Sequence, residues 1–191
     1  DGIELYYDPN PFNDLFTLSI KVDVGTEEIK KLGLSATLMD VTGTQNMSNE
    51  ELQKEWYRMG SRFRFGAGEN SSVIAVSGLD EQFENSLELA LDLIKTPTTE
   101  EETLEQLKDI LLKTREDQKS SPPAIARALY LFNRYGEKSP MLEALTSEEI
   151  RETTLDELLM LPSELLTYNH TIAYTGSLPL EDVVEVLRRN H

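Results

Sequence analysis

The chain has 191 residues, of which 39% are hydrophobic and 28% are charged, and its formal net charge is −17. This length and balance are typical of one soluble globular domain. The negative charge argues against binding to nucleic acid or to anionic membrane surfaces, because both carry negative charge. Cys is absent, so disulfides and thiolate zinc sites are excluded. No apolar run approaches the roughly 20 residues of a membrane span.

The ends of the chain suggest that it is part of something longer. It begins with Asp1, shows no signal peptide, and ends with His191 directly after a helical pattern. We therefore interpret residues 1–191 as a single domain excised from a longer, multi-repeat protein. The sequence does not assign a compartment: it is compatible with a bacterial cell envelope or periplasm and with the cytoplasm.

In the first half of the chain, strand and helix patterns follow one another. Alternating apolar residues predict strands, and apolar residues at helical spacing after a capping residue predict helices. A turn is predicted at residues 8–11, and a hairpin loop, rather than a phosphate-binding loop, at residues 66–70. The predicted strands are 2–7, 15–24, 62–66 and 72–77, and the predicted helices are 32–41, 48–59 and a long one from Asp80 to the break at Pro97.

The second half is predominantly helical. Capping-box patterns at Thr99, Thr146 and Thr154 predict the starts of one long helix and two short ones, and a loop is predicted at residues 119–123. The remaining predicted elements are a helix over 124–135, a strand over 170–175 and a helix over 180–189. Consecutive strands favour antiparallel pairing. Together these elements predict an α+β fold, a two-layer sandwich with a mainly antiparallel sheet and helices packed on one face.

Few side chains suit catalysis. The sequence has neither a Cys nor a Gly-x-Ser-x-Gly nucleophile elbow. Of the two histidines, His191 is terminal and His170 is interpreted as an ordinary strand residue. The 35 Asp and Glu residues are concentrated partly at predicted helix starts, where acidic side chains are favoured for structural reasons. We therefore predict no catalytic residue and no metal site.

A fixed order of short motifs runs along nearly the whole chain. Val22–Thr26 (Val-Asp-Val-Gly-Thr) precedes residues 33–40 (Gly-Leu-Ser-Ala-Thr-Leu-Met-Asp), and Gly43-Thr44 and 59–63 (Met-Gly-Ser-Arg-Phe) follow. Residues 135–140 and 145–149 continue the series in the second half. This order resembles the repeat of the pitrilysin/insulinase family of zinc metallopeptidases, whose fold is that of the mitochondrial processing peptidase.

The resemblance implies that the zinc site has been lost. The family's active repeat reads Gly-Leu-x-His-x-x-Glu-His, with two His ligands and a Glu base, and a later helix supplies a Glu ligand. In this chain the His positions hold Ala36 and Asp40, the base position holds Met39, and the later ligand position falls on Leu111. The family also holds its substrate with an Arg and a Tyr, seven positions apart, in its C-terminal repeat. No Tyr in this chain has an Arg seven residues before it. No cofactor is therefore expected in this chain, and zinc is expected in the catalytic domain of the parent protein.

The resemblance implies a catalytically inactive domain, the first domain of the second half of a zinc metalloendopeptidase. Such a domain forms part of the peptide-enclosing chamber and supports the catalytic half. Its partners would be other repeats of the same polypeptide or a catalytic subunit, together with the peptide substrate. The alternative is a stand-alone peptide- or protein-binding module, and an enzyme of unrelated chemistry is a third hypothesis without a supporting set of residues. An edge strand could receive a peptide, but the sequence does not identify which strand is the edge.

Overall fold

The computed structural model describes residues 2–190. The strands are β1 (Glu4–Pro9), β2 (Leu15–Val22), β3 (Gly43–Thr44), β4 (Arg62–Ala67), β5 (Ser72–Leu79), β6 (Pro97–Thr98) and β7 (His170–Gly176). The helices are α1 (Leu32–Met39), α2 (Asn49–Arg58), α3 (Phe83–Lys95), α4 (Glu101–Lys119), α5 (Pro122–Tyr135), α6 (Pro140–Glu143), α7 (Ser147–Glu152), α8 (Leu155–Leu165) and α9 (Leu180–Asn190). No helix in this part of the chain is long and apolar enough to cross a membrane.

Five strands form the main sheet in the order β1-β7-β2-β5-β4. β1 runs parallel to β7, and the other three pairings are antiparallel. β3 and β6 form a separate two-residue ladder. The predicted α+β fold with a mainly antiparallel sheet is therefore confirmed. The edge strands, which the sequence did not identify, are β1 and β4.

Helices cover one face of the sheet. In β2, Phe16, Leu18, Ile20 and Val22 are buried, and their register partners on β5 and β7 are buried as well, apart from the half-buried His170 opposite Val22. The apolar stripe of α3 packs against this face, with the Phe83 ring edge-on to Phe16 at a centroid distance of 5.1 Å. The alternation of apolar and polar residues along the strands thus produces one core face.

The opposite face of the sheet is uncovered and carries mostly small side chains. One row across the strands reads Tyr6, Ala173, Ser19, Ala75 and Arg64. The next row reads Asp8, Thr175, Thr17, Ser77 and Arg62. The face is therefore shallow at its centre, with cations at the β4 edge and acidic or aromatic side chains at the β1 edge.

Several boundaries differ from the sequence-based prediction. The first strand is Glu4–Pro9 rather than 2–7, because an edge strand tolerates Pro9. The turn begins at Asn10, whose side-chain oxygen accepts a hydrogen bond from the Phe12 backbone N–H at 3.1 Å. The strand predicted to end at residue 24 ends at Val22.

Helix α1 is buried on nearly all sides, although the sequence predicted a single apolar face over 32–41. It ends at Met39, and Val41 is exposed. Ser35 is buried, and its hydroxyl donates a hydrogen bond to the Leu158 carbonyl of α8 at 2.7 Å. A helix that is apolar all round lies in a protein interior. In this chain it lies between the sheet and α8.

The capping predictions are confirmed at three of five positions. Ser48, Thr146 and Thr154 form capping boxes, each with a Glu three residues later. The box predicted at Thr99 is wrong, because Glu100 is the N-cap of α4 and makes no side-chain capping bond. Asp80 does not cap a helix either: it opens a short 3₁₀ turn, and its carboxylate binds elsewhere. Helix α8, predicted as short, has 11 residues and includes Pro162.

Candidate functional site

A cavity of about 430 Å³ opens where α1 ends, between α2 and the start of edge strand β4. Met39 and Asp40 form its α1 side, and Arg62 and Phe63 form its β4 side. The remaining wall comes mostly from α2, including Trp56, and is completed by Ser61 and by Leu93 of α3. This cavity thus lies beside the aligned motif and an open sheet edge.

Local sequence explains how these elements meet. The Ser48–Glu51 capping box starts α2, and Gly60 adopts a positive φ of 60° that ends it. The Ser61 backbone N–H then donates to the Trp56 carbonyl at 3.0 Å, which directs the chain into β4. The Trp56 and Phe63 rings stack with centroids 6.2 Å apart. This stacked pair fixes the β4 side of the cavity relative to α2.

The side chains at this cavity suit binding better than catalysis. Asp40 offers an exposed carboxylate, Arg62 an exposed guanidinium, and Tyr57 a ring that is 89% exposed. A carboxylate and a guanidinium can bind complementary charges on a peptide, and an exposed ring can pack against an apolar side chain. This set contains no His, Cys or Ser nucleophile with a neighbouring base.

Zinc does not fit the side chains at the positions predicted to align with the zinc motif. Ala36 and Met39 are buried in α1 and provide a methyl group and a thioether, whereas zinc sites use imidazole, thiolate and carboxylate ligands. Asp40, at the end of the helix, provides the one carboxylate. Among residues 2–190, no group of three or more His, Asp or Glu side chains is arranged to hold a metal ion.

Leu111 lies at a second cavity, of about 340 Å³, formed by α4, α1 and the segment around α6. Gly33, Leu34 and Thr37 of α1 line it, together with Arg115. Gly33 and Thr37 are three residues before Ala36 and Asp40, respectively, and so lie on an adjoining part of the helix surface. The structure therefore brings Leu111 beside α1 but not into the cavity that holds Met39 and Asp40. The assignment of Leu111 as a former ligand position stays a prediction.

Two arginines at these cavities were missed in the sequence analysis. Arg62 alternates with buried or half-buried residues along β4, so period-two spacing places it with Arg64 on the open face. Arg115 follows Leu111 by one helical turn, on the same stripe of α4. A cation that interrupts an apolar stripe is the signal that could have identified Arg115.

His170 is the first residue of β7, as predicted. Its Nδ1 lies 2.8 Å from the Tyr168 carbonyl oxygen, two residues earlier. This contact is local to the strand start and does not bring the ring to either cavity.

Comparison with solved structures identifies the fold. A peptidase M16 inactive domain from Pseudomonas fluorescens aligns with a TM-score of 0.80 and 19% identity, over 98% of this chain and 47% of that chain. The ferredoxin protease FusC, solved as a mutant in complex with Arabidopsis ferredoxin, aligns with a TM-score of 0.82 and 13% identity, over 97% of this chain and 21% of that one. The periplasmic protease PqqL from Escherichia coli gives 0.80 and 13%, over 96% of this chain and 21% of that one.

These matches extend over almost all of the present chain, which spans half or less of each solved chain. No protein-family model and no curated protein matches the sequence. At these identities the likeness concerns the fold, and the inactive M16 domain shows that this fold occurs without catalysis. The chain has the fold of the M16, or pitrilysin/insulinase-type, peptidase domains.

Proposed function

We propose that this chain is a catalytically inactive domain of a pitrilysin/insulinase-family zinc metalloendopeptidase, and that it forms part of the peptide-enclosing chamber and supports the catalytic half. In this proposal residues 1–191 are one domain of a longer protein. The observation that carries the chamber role is the uncovered sheet face, because a five-stranded sheet with helices on one side leaves the other side available as a wall.

The chemistry of that face supports the proposal. At its centre, Ser19, Ala75 and Ala173 project little from the sheet, so an extended peptide could pass close to it. Arg62 and Arg64 lie at the β4 edge, where they could attract acidic groups of a substrate. A wall of this kind selects peptides by charge and width, without contributing to bond cleavage.

The motif positions support an inactive role. Ala36 and Met39 lie on α1 and are buried in the hydrophobic core, where their side chains contribute to stability rather than to metal binding. The inactive M16 domain from Pseudomonas fluorescens provides a precedent for the fold without activity. Zinc and the general base would then belong to another domain of the parent protein.

The test uses the parent protein. We expect an intact inverted zinc motif outside the present 191 residues, and we expect deletion of this domain to abolish peptide cleavage. Arg62→Glu in the parent should change the relative kcat/KM for acidic and basic peptides and leave the zinc content unchanged. Lys54→Glu, on the exposed surface of α2, is the matched charge-reversal control and should alter neither quantity. A parent without a zinc motif, or cleavage that persists after deletion, would contradict the proposal.

The alternative, a stand-alone peptide-binding module, is favoured by the β4 edge. Within residues 2–190 β4 pairs with β5 alone, so its other edge could add a peptide strand. Binding of this kind should slow hydrogen exchange of the β4 amides in the isolated chain when a peptide is added. If a peptide bound with no change in β4 exchange, this alternative would be wrong.

A further inference from the structure

An apolar groove of about 960 Å³ lies between the end of α4, α5 and the segment around α6. Helix α5 contains no buried residue, although most of its 14 residues are apolar. Leu129 is 59% exposed, and Ile125, Phe132, Met141 and Leu142 are also exposed at this groove. A helix of this composition ordinarily buries one face against a neighbour, whereas the apolar face of α5 is exposed at this groove.

The apolar residues of α5 are spaced to receive another helix. Ile125, Leu129 and Phe132 stand at positions i, i+4 and i+7 and all line the groove. This stripe is about 10 Å long at 1.5 Å per residue. Recognition of an amphipathic helix in a groove uses the same spacing on the bound helix. An occupant with three apolar anchors would therefore match the stripe.

The charge around the groove is opposite to that of the chain as a whole. The charged side chains that line the groove, Arg115 and Lys119, are both basic, and no Asp or Glu of the described residues lines it, in a chain whose net charge is −17. Arg115 lines both this groove and the neighbouring cavity. Lys119, also at the groove, pairs with Glu116 of its own helix. The groove thus combines apolar walls with positively charged side chains.

Arg115 lacks a partner in the described structure. It is half-buried, and among residues 2–190 its guanidinium makes no hydrogen bond or ion pair. A partly desolvated charge without a partner is unfavourable, and a carboxylate would satisfy it with charge-assisted hydrogen bonds. Ser139, also at the groove, is 1% exposed, and its hydroxyl has no hydrogen-bond partner in the described residues. Both groups favour an occupant that carries an acidic residue.

We propose that this groove binds an amphipathic helix of a partner protein, with apolar residues at i, i+4 and i+7 against α5 and one Asp or Glu paired with Arg115. A second copy of this chain is a poorer occupant, since two copies related by a two-fold axis would place the positively charged side chains against each other. The proposal does not depend on the chamber function.

The experiment is a display selection against the 191-residue chain. The library consists of 16-residue helices with Leu fixed at i, i+4 and i+7 and all other positions varied. We expect enrichment of Asp or Glu at one position beside the Leu stripe. The selected peptide should bind the Arg115→Gln variant at least tenfold more weakly, in line with loss of a charge-assisted bond. A version of the peptide with Lys in place of its acidic residue should also bind the unaltered chain more weakly than the selected peptide does.

Two controls make the result decisive. Leu129→Glu should abolish binding, whereas Tyr57→Glu, a change at an exposed apolar position on α2 outside the groove, should leave it unchanged. Light scattering of the unliganded chain should show a monomer. The proposal is overturned if no helix is enriched, if enriched helices lack an acidic residue, if Arg115→Gln binds as well as the original, or if the chain forms a dimer that Leu129→Glu dissociates.

Discussion

The Asp80 carboxylate accepts a hydrogen bond from the Tyr174 hydroxyl at 3.1 Å, and both residues are buried. The other carboxylate oxygen accepts from the Ser177 backbone N–H at 3.1 Å. This contact connects the turn that leads into α3 with the end of β7. Burial, and next the Asp80 charge, raise the pKa of Tyr174, so its hydroxyl remains a donor over the ordinary pH range.

Tyr174→Phe should lower the free energy of unfolding by about 1–3 kcal/mol, because a buried carboxylate then loses one of its two donors. Urea unfolding followed by circular dichroism measures this change. Tyr6→Phe is the control, since its hydroxyl is exposed and bonds to Glu4 at the surface. It should change stability by less than about 0.5 kcal/mol. Equal losses in the two variants would show that the buried bond contributes nothing specific.

Gly25→Ala should destabilise the chain by more than about 1 kcal/mol, because the backbone there leaves no space for a side chain. An added Cβ would overlap the Glu69 carbonyl oxygen in the β4–β5 loop. The same loop accepts backbone hydrogen bonds from Thr26 at 2.9 Å and Glu27 at 3.0 Å.

The control for this change is Gly66→Ala in β4, where no atom lies within 4 Å of the added Cβ. Its melting temperature should stay close to that of the unaltered chain, while that of Gly25→Ala falls. If both melt alike, the contact between Gly25 and the hairpin loop is not needed for the fold.

The order of strands and helices was predictable from the sequence because it depends on local signals. Period-two alternation marks β2 and β7, and the Ser48 and Thr154 capping boxes mark α2 and α8. The parallel pairing of β1 with β7 was not predictable, since it joins residues more than 160 positions apart and leaves no local pattern. The main sheet's edges depend on this pairing and were therefore unknown.

The long-range contacts of side chains, at the candidate site and elsewhere, were less predictable for a similar reason. The motif at residues 33–40 located α1, but the contacts of Asp80 and Arg115 depend on distant elements. Asp80 was expected to cap a helix because Asp favours such positions. Tyr174 and Ser177, almost a hundred residues later, instead provide its partners.

The pH dependence of stability should include a contribution from Glu157. The Lys31 ammonium, at 2.8 Å, and next the Thr154 backbone N–H lower the pKa of this carboxyl to about 2. A lowered pKa means that the contribution is complete above the unfolded value of about 4.3 and is lost as the pH falls through about 2. Glu157→Gln should therefore show a shallower loss of stability between these pH values.

Urea unfolding at pH 7, 4 and 3 measures this slope. The control is Glu152→Gln, an exposed carboxyl at the end of α7, which should keep the slope of the unaltered chain. An unchanged slope in Glu157→Gln would mean that the contact between α1 and α8 does not contribute to acid stability.

Restoring ligands tests the motif alignment. The variant Ala36→His, Met39→Glu, Asp40→His and Leu111→Glu should bind zinc weakly, because positions 36 and 40 are one helical turn apart and residue 111 lies at the adjoining surface of the same helix. Missing supporting hydrogen bonds should cost ~10–100-fold in affinity relative to an evolved site. Calorimetric titration measures the binding, and the same variant with Leu111 retained is the control. If the control binds zinc as tightly, Leu111 is not the third ligand position.

The central claim is that this chain lacks the catalytic chemistry of a zinc peptidase, which we infer because Ala36, Met39, Asp40 and Leu111 stand at the positions predicted for the ligands and the base. The most direct measurement is the zinc content of the 191-residue chain after dialysis against zinc, together with its turnover of a mixed peptide library. The account predicts less than stoichiometric zinc and no chelator-sensitive cleavage. One zinc ion per chain with cleavage that a chelator abolishes would contradict it.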